Sequence, residues 1–167
     1  MQETAQQYIT RILGSIEGKN VMEILASTPK QVARLIEGAP KDRLSKHPAP
    51  GKWSVTEILA HLADVEIVQG FRIRLILGSS GTPIQGFDQE VWAAYSDYAS
   101  HDIALSMDGY RVNRERTLRL LKSLPGEKWD SFGLHSERGK ETVRRVSEMM
   151  AGHDINHLGQ IEAILKG

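Results

Sequence analysis

Two histidines near the C-terminus, His153 and His157, lie four residues apart in the segment Met149–Ile161. Apolar residues precede and follow them at helical spacing, so the pair occupies positions where a core-facing helix ordinarily carries hydrophobic side chains. Side chains at i and i+4 project from one face of a helix, which lets two imidazoles bind one metal ion. The pair alone is a weak signal, because core histidines are common and a metal site needs another ligand.

A third histidine, His61, has an equivalent position in another long helix. Ser54 and Glu57 form a capping-box pattern that begins this helix, which we expect to end near Leu77. Glu57 and Asp64 lie one turn to either side of His61, where a carboxylate can support an imidazole. Three imidazoles from two helices suit zinc or nickel, with the remaining coordination positions open to water or a substrate.

The apolar periodicity predicts an all-α fold: a four-helix bundle with long connections after the second and third main helices. The sequence Ser27-Thr28-Pro29 indicates an N-cap followed by a first-turn proline, and therefore a new helix. We assign no functional role to the first 40 residues. The predicted helices cover residues 5–16, 21–26, 28–37, 54–77, 102–124 and 142–165. The predicted connections are a loop at 42–52, an irregular or short-helical aromatic segment at 82–100, and a hairpin or extended arm at 127–141.

The composition excludes several classes of protein and site. The chain has 167 residues, a length that favours one domain spanning residues 1–167. Its 21 basic and 21 acidic residues give a net charge of +0. A neutral chain lacks the basic footprint of a nucleic-acid-binding protein, and no run of about 18 apolar residues predicts a membrane span. The absence of cysteine excludes thiolate metal ligands and disulfides. Because no secretory signal pattern begins the chain, we expect a cytoplasmic protein.

Three motifs together resemble the DinB-like (YfiT-like) superfamily of metal-binding four-helix bundles. They are Pro48–Ser54, Glu57–Asp64 and His153–Ile161, and the similarity extends over nearly the whole chain, including the helix that carries Arg114. The resemblance implies that His61, His153 and His157 are the metal ligands, that the metal is zinc or nickel, and that the protein forms a homodimer.

The resemblance also implies several activities on small-molecule substrates. The leading hypothesis is a thiol-dependent S-transferase that uses a low-molecular-weight thiol such as bacillithiol, mycothiol or glutathione; related proteins include mycothiol-dependent isomerases. The second is a metal-dependent hydrolase that uses metal-bound hydroxide, which needs a general base. For that role Glu57 or Asp64 can take a proton, whereas Gln160 can only orient a group; all three are more typical of residues that support a metal ligand. The third is a non-catalytic, metal-stabilised stress-response module.

Overall fold

The computed structural model describes residues 3–167, which contain seven α-helices and a small three-stranded sheet. Two short 3₁₀ turns follow α5 and α6. No helix in this part of the chain is apolar over a length sufficient to cross a bilayer. The helices are α1 (Ala5–Gly14), α2 (Val21–Ile36), α3 (Lys41–Ser45), α4 (Val55–Gly78), α5 (Gln89–Tyr95), α6 (Ile103–Ser123) and α7 (Val143–Lys166); the strands are β1 (Thr82–Ile84), β2 (Phe132–His135) and β3 (Gly139–Thr142).

The four long helices α2, α4, α6 and α7 form the bundle that the sequence predicted. Helix α4 packs beside α6 and α7, and α2 packs beside the same two helices, so that each long helix contacts two main neighbours. Helix α1 lies outside this arrangement, along α7. The long connections follow α4 and α6, as expected, and the predicted capping box of Ser54 and Glu57 begins α4.

The predicted helix break at Ser27-Thr28-Pro29 is wrong, because α2 continues through Pro29. Proline has no N–H, so within a helix the carbonyl four residues earlier loses its usual partner. That carbonyl belongs to Leu25, and it accepts a hydrogen bond of 2.9 Å from Arg114 Nη1. A side chain from another helix therefore satisfies the group that Pro29 leaves free, and α2 stays continuous.

The connections contain more regular structure than the sequence predicted. The arm before α7 is a hairpin, in which β2 and β3 pair antiparallel, but the parallel pairing of β1 with β2 was not expected. Strand β1 has three residues, too few for an alternating pattern to be visible in the sequence. The predicted loop at 42–52 overlaps the short helix α3, whose Leu44 is buried. Burial of that side chain stabilises a turn with no side-chain cap.

The hydrophobic core consists of two clusters separated by charged and polar side chains. One cluster includes Ile73 and Val146, and the other includes Ile58 and Ile161. On α6 and α7 the residues of one cluster precede the polar side chains and those of the other follow them. We refer to these polar side chains as the polar layer; its members are His61, Glu66, Arg114, His153, Asp154 and His157.

Candidate metal centre

The histidines of the polar layer meet where α4 faces α7. His153 Nε2 lies 2.9 Å from His61 Nε2 and 3.0 Å from His157 Nε2. Each residue offers one nitrogen, and these three nitrogens lie within 4.8 Å of one another. His61 and His157 are buried as whole residues, and His153 keeps some exposed surface although its imidazole lies among the buried rings. The two helices thus bring together all three histidines that the sequence predicted as ligands.

All three imidazoles are uncharged at neutral pH. Burial, reinforced by the neighbouring His157, lowers the pKa of His61 to about 3. Burial also lowers the pKa of His157 to about 4. The hydrogen bond with Gln160 partly offsets the effect of burial, and Arg11 lowers the pKa further. The pKa of His153 is well below its usual value, because of burial and then the adjacent imidazoles and Arg114. Neutral imidazole is the form that binds a metal ion.

Neighbouring side chains fix the orientation of two of these rings. His157 Nδ1 lies 2.8 Å from Gln160 Oε1, and because an amide oxygen only accepts, Nδ1 donates. The neutral ring therefore presents the unprotonated Nε2 to the other histidines. Trp53 packs against His61 with 4.9 Å between ring centroids. His61 Nδ1 is buried without a hydrogen-bond partner among the described residues.

The chemistry of this donor set fits a divalent cation. Three neutral nitrogens at such short separations repel through their lone pairs unless protons or a cation lie among them. Three imidazoles with an open side are a typical set for a zinc ion that binds a further molecule. His61, His153 and His157 can therefore hold a divalent metal ion.

A buried ion cluster supports α7 directly behind the histidines. Arg114 contacts Asp154 at 2.6 and 3.0 Å and Glu66 at 2.6 Å, and all three side chains are almost fully buried. Burial raises the pKa of Glu66 more than Arg114 lowers it. Burial alone would lower the pKa of Arg114, but the two carboxylates raise it well above its usual value. Because Asp154 is next to His153, this cluster fixes the rotation of the helix that carries two of the histidines.

The two carboxylates one turn from His61 are hydrogen-bonded to other groups. Glu57 Oε2 accepts hydrogen bonds of 2.7 Å from the backbone and hydroxyl of Ser54 and lies 2.8 Å from His47 Nε2. Burial raises the pKa of Glu57, but the Ser54 hydrogen bonds and His47 together outweigh burial and lower the pKa. Asp64 accepts a hydrogen bond of 2.6 Å from Tyr98. Of the three supporting residues suggested by the sequence, only Gln160 contacts a histidine of the centre.

His153 and His157 line a cleft of about 770 Å³, a volume typical of small-molecule sites. Helix α1 contributes Tyr8 and Arg11 to its wall, although sequence patterns did not connect this helix with the site. Arg11 Nη1 donates to Asn156 Oδ1 at 2.7 Å, which ties α1 to α7 at the cleft. Other lining residues are Lys52, Trp53, Gln89, Glu90 and Gln160.

The sequence profile of the DinB superfamily matches residues 24–161, which include the three histidines and most of the bundle. The chain belongs to the DinB superfamily. Similar chains occur in Oceanobacillus iheyensis and in several Bacillus species. A protein of Oceanobacillus iheyensis is 27% identical over 124 residues, which cover 74% of this chain and 71% of that protein. A protein of Bacillus pumilus is 23% identical over 170 aligned positions, covering 98% and 97% of the two chains. Both relatives are provisionally named metal-dependent hydrolases.

The same fold occurs in YfiT from Bacillus subtilis, described as a probable metal-dependent hydrolase with an unusual four-helix bundle topology. The two structures superpose with a TM-score of 0.81 at 19% identity, covering 99% of this chain and 89% of YfiT. The similarity to YfiT establishes the four-helix bundle fold of this chain, and the function has to be argued from the site itself.

Proposed function

We propose that this protein is a divalent-metal-dependent S-transferase that joins the sulfur of a low-molecular-weight thiol to an electrophilic carbon, with loss of the thiol proton and of the leaving group of the electrophile. The observation that carries the proposal is the meeting of three neutral imidazoles at an open cleft. A divalent cation held there would act as a Lewis acid, lowering the pKa of a thiol or water molecule that completes its coordination. Because the chain contains no cysteine, the nucleophilic sulfur has to come from a second small molecule.

Two arginines near the histidines oppose a further positive charge at the centre, which favours a ligand that binds as an anion, such as a thiolate. Arg11 opposes protonation of His157, and Arg114 opposes protonation of His153. Both arginines are paired within the protein: Arg114 contacts Asp154 and Glu66 at 2.6 Å, and Arg11 contacts Glu3 at 2.9 Å. Lys52 in the cleft wall can contact acidic groups of the thiol compound. A thiol needs no further base if the site itself favours its ionised form.

Each polar neighbour of the histidines has a defined task in this proposal. Gln160 keeps the proton of His157 on Nδ1, and Trp53 covers one side of His61, which keeps bulk water away from that ring. The contact of Arg114 with Asp154 holds α7 at a fixed rotation. The cleft then has to position the thiol compound and the electrophile together, and its volume permits two small molecules.

Hydrolysis is the second candidate, favoured by the names of the O. iheyensis and B. pumilus relatives. It ranks below thiol conjugation because Glu57 and Asp64, the carboxylates considered as general bases, are hydrogen-bonded to other groups. Cleavage would then need another base, and the carboxylates that line the cleft are Glu3, which is paired with Arg11, and Glu90.

Turnover assays with zinc-loaded and nickel-loaded protein separate these candidates. We expect conjugation of chlorodinitrobenzene or monochlorobimane that requires both the metal and one of the three thiols named above. His153→Ala should abolish the reaction, whereas His47→Ala, which removes an exposed histidine outside the centre, should retain it. Thiol-independent cleavage of esters or amides would instead establish a hydrolase. No turnover of either kind by metal-loaded protein would contradict both and leave a non-catalytic module.

A further inference from the structure

A second group of buried polar side chains lies between the far part of α4 and the sheet. Arg72 of α4 and His135 at the end of β2 are 4% and 3% exposed. Arg72 follows His61 by eleven residues, which corresponds to about 16 Å along the helix axis. The group is therefore separate from the metal centre.

The hydrogen bonds of His135 determine which of its nitrogens carries the proton. The backbone N–H of Glu137 donates to His135 Nδ1 at 3.1 Å, so Nδ1 is an acceptor. Burial and the nearby Arg138 lower the pKa of His135, which is therefore neutral at neutral pH. A neutral imidazole with an accepting Nδ1 has its proton on Nε2. That nitrogen lies 3.4 Å from Arg72 Nη2, so two donors face each other with no acceptor between them.

The guanidinium of Arg72 has further donors that the protein leaves unused. Nη2 donates to the carbonyl of Gln85 at 2.7 Å, but Nε and Nη1 have no partner among the described residues. These two nitrogens are not enclosed, because they are absent from the fully buried polar atoms that lack a partner. They can therefore meet a ligand that enters from solvent, and an anion would pair with this largely buried cation, for which burial without a counter-charge is unfavourable.

The carboxylates near Arg72 do not supply the missing acceptor. Glu141 is bound by Arg138 through two hydrogen bonds of 2.8 and 3.0 Å. Glu137 is exposed and forms no ion pair in the described part of the chain. The ring of Phe87 lies 5.7 Å from the guanidinium carbon of Arg72, at the rim of the group.

We propose that Arg72 and His135 form a binding site for an oxyanion, either a carboxylate or a phosphate group. A planar guanidinium offers parallel N–H groups that match two oxygens of either anion, and the imidazole N–H supplies another donor. The bound anion would provide the counter-charge that Arg72 lacks and the acceptor that the two facing donors require. The proposal does not depend on the reaction at the metal centre.

Nuclear magnetic resonance titrations of the unmodified protein test the site directly. Sodium phosphate and sodium acetate are added separately at constant ionic strength, while the Arg72 Nε–H and His135 Nε2–H signals are followed. We expect saturable shifts of both signals with at least one anion, and the comparison identifies phosphate or carboxylate as the preferred group. Anions that bind only at the metal centre would shift signals of His61, His153 and His157 instead. Absence of saturable shifts at Arg72 and His135 with both anions would overturn the proposal. A water molecule would then be the acceptor for the facing N–H groups of Arg72 and His135.

A matched pair of arginine variants provides the second test. Arg72→Gln should weaken anion binding about tenfold or more, because a charge-assisted hydrogen bond is lost. Arg74→Gln removes an exposed arginine that donates to the carbonyl of Gly70 in its own helix, and it should leave the affinity unchanged. Equal affinities in the two variants would contradict the proposal. Should Arg72→Gln fail to fold, the titration of the unmodified protein still decides.

Discussion

Replacement of Gly152 by alanine is expected to destabilise the protein through the contact between α1 and α7. A Cβ atom at this position would lie 2.4 Å from the carbonyl oxygen of Ile12 and 2.6 Å from its Cγ2. The carbonyl is part of the α1 backbone, so the clash is relieved only by moving that helix. Alanine is better than glycine inside a helix by about 1 kcal/mol, but overpacking costs about 1–3 kcal/mol. Because the clash involves backbone, we expect a net loss near the upper end, about 2 kcal/mol.

Gly159 provides the matched control, since it lies in the same helix with no atom within 4 Å of the added Cβ. Gly159→Ala should therefore stabilise the protein by up to about 1 kcal/mol. Urea unfolding gives both free energies of unfolding, and the two variants should differ by about 2–3 kcal/mol. Gly152→Ala should also weaken ligand binding in the cleft, because α1 carries Tyr8 and Arg11. Equal stabilisation by both substitutions would refute the packing of α1 against α7.

Further predictions concern the centre, the ion cluster and the surface. Metal-free protein should lose stability as the pH falls from about 6.5 towards about 4. In this range the histidines of the unfolded chain bind protons, whereas His61 and His157 of the folded protein stay neutral. Each of the two histidines lowers the free energy of unfolding by up to about 1.4 kcal/mol per pH unit. Urea unfolding at several pH values checks this, and a flat profile would contradict it. Arg114→Met leaves two buried carboxylates unpaired and should lower the free energy of unfolding by about 3–5 kcal/mol in the same assay. An unchanged free energy of unfolding would contradict a stabilising role for the cluster. The homodimer expected from the family stays a prediction. We expect its contact surface to include Ile67 and Phe71, which lie one turn apart on α4 and are 57% and 62% exposed. Light scattering after size exclusion should give the mass of two chains, reduced to one by Phe71→Glu, whereas a monomer at every concentration would contradict the dimer.

The positions of the three histidines were predictable because their signals are local to two helices. Each interrupts an apolar stripe at a core-facing step, and α4 begins at the recognisable pair Ser54 and Glu57. The orientation of the supporting side chains was not predictable in the same way. Glu57 and Asp64 are both one turn from His61, yet partners outside the centre bind their carboxylates.

Features that depend on contacts between distant segments were missed or only partly predicted. The local pattern at Pro29 indicates a helix start, but Arg114 satisfies the carbonyl that the proline leaves free. Nothing in the sequence around Arg114 identifies Asp154, forty residues later, as its partner. Polar residues on α1, such as Arg11, have the same pattern as any exposed helix face. Only the packing of α1 on α7 brings it to the cleft.

Metal content measured by inductively coupled plasma mass spectrometry tests the central claim most directly. The comparison uses tag-free native protein, the double variant His153→Ala/His157→Ala, and His47→Ala as a control for loss of a histidine outside the centre. Three neutral imidazoles that meet at one point predict about one equivalent of a divalent metal in the native protein and the control, and none in the double variant. Native protein that contains no metal even after incubation with zinc and nickel would contradict the account, and the histidines would then be core residues.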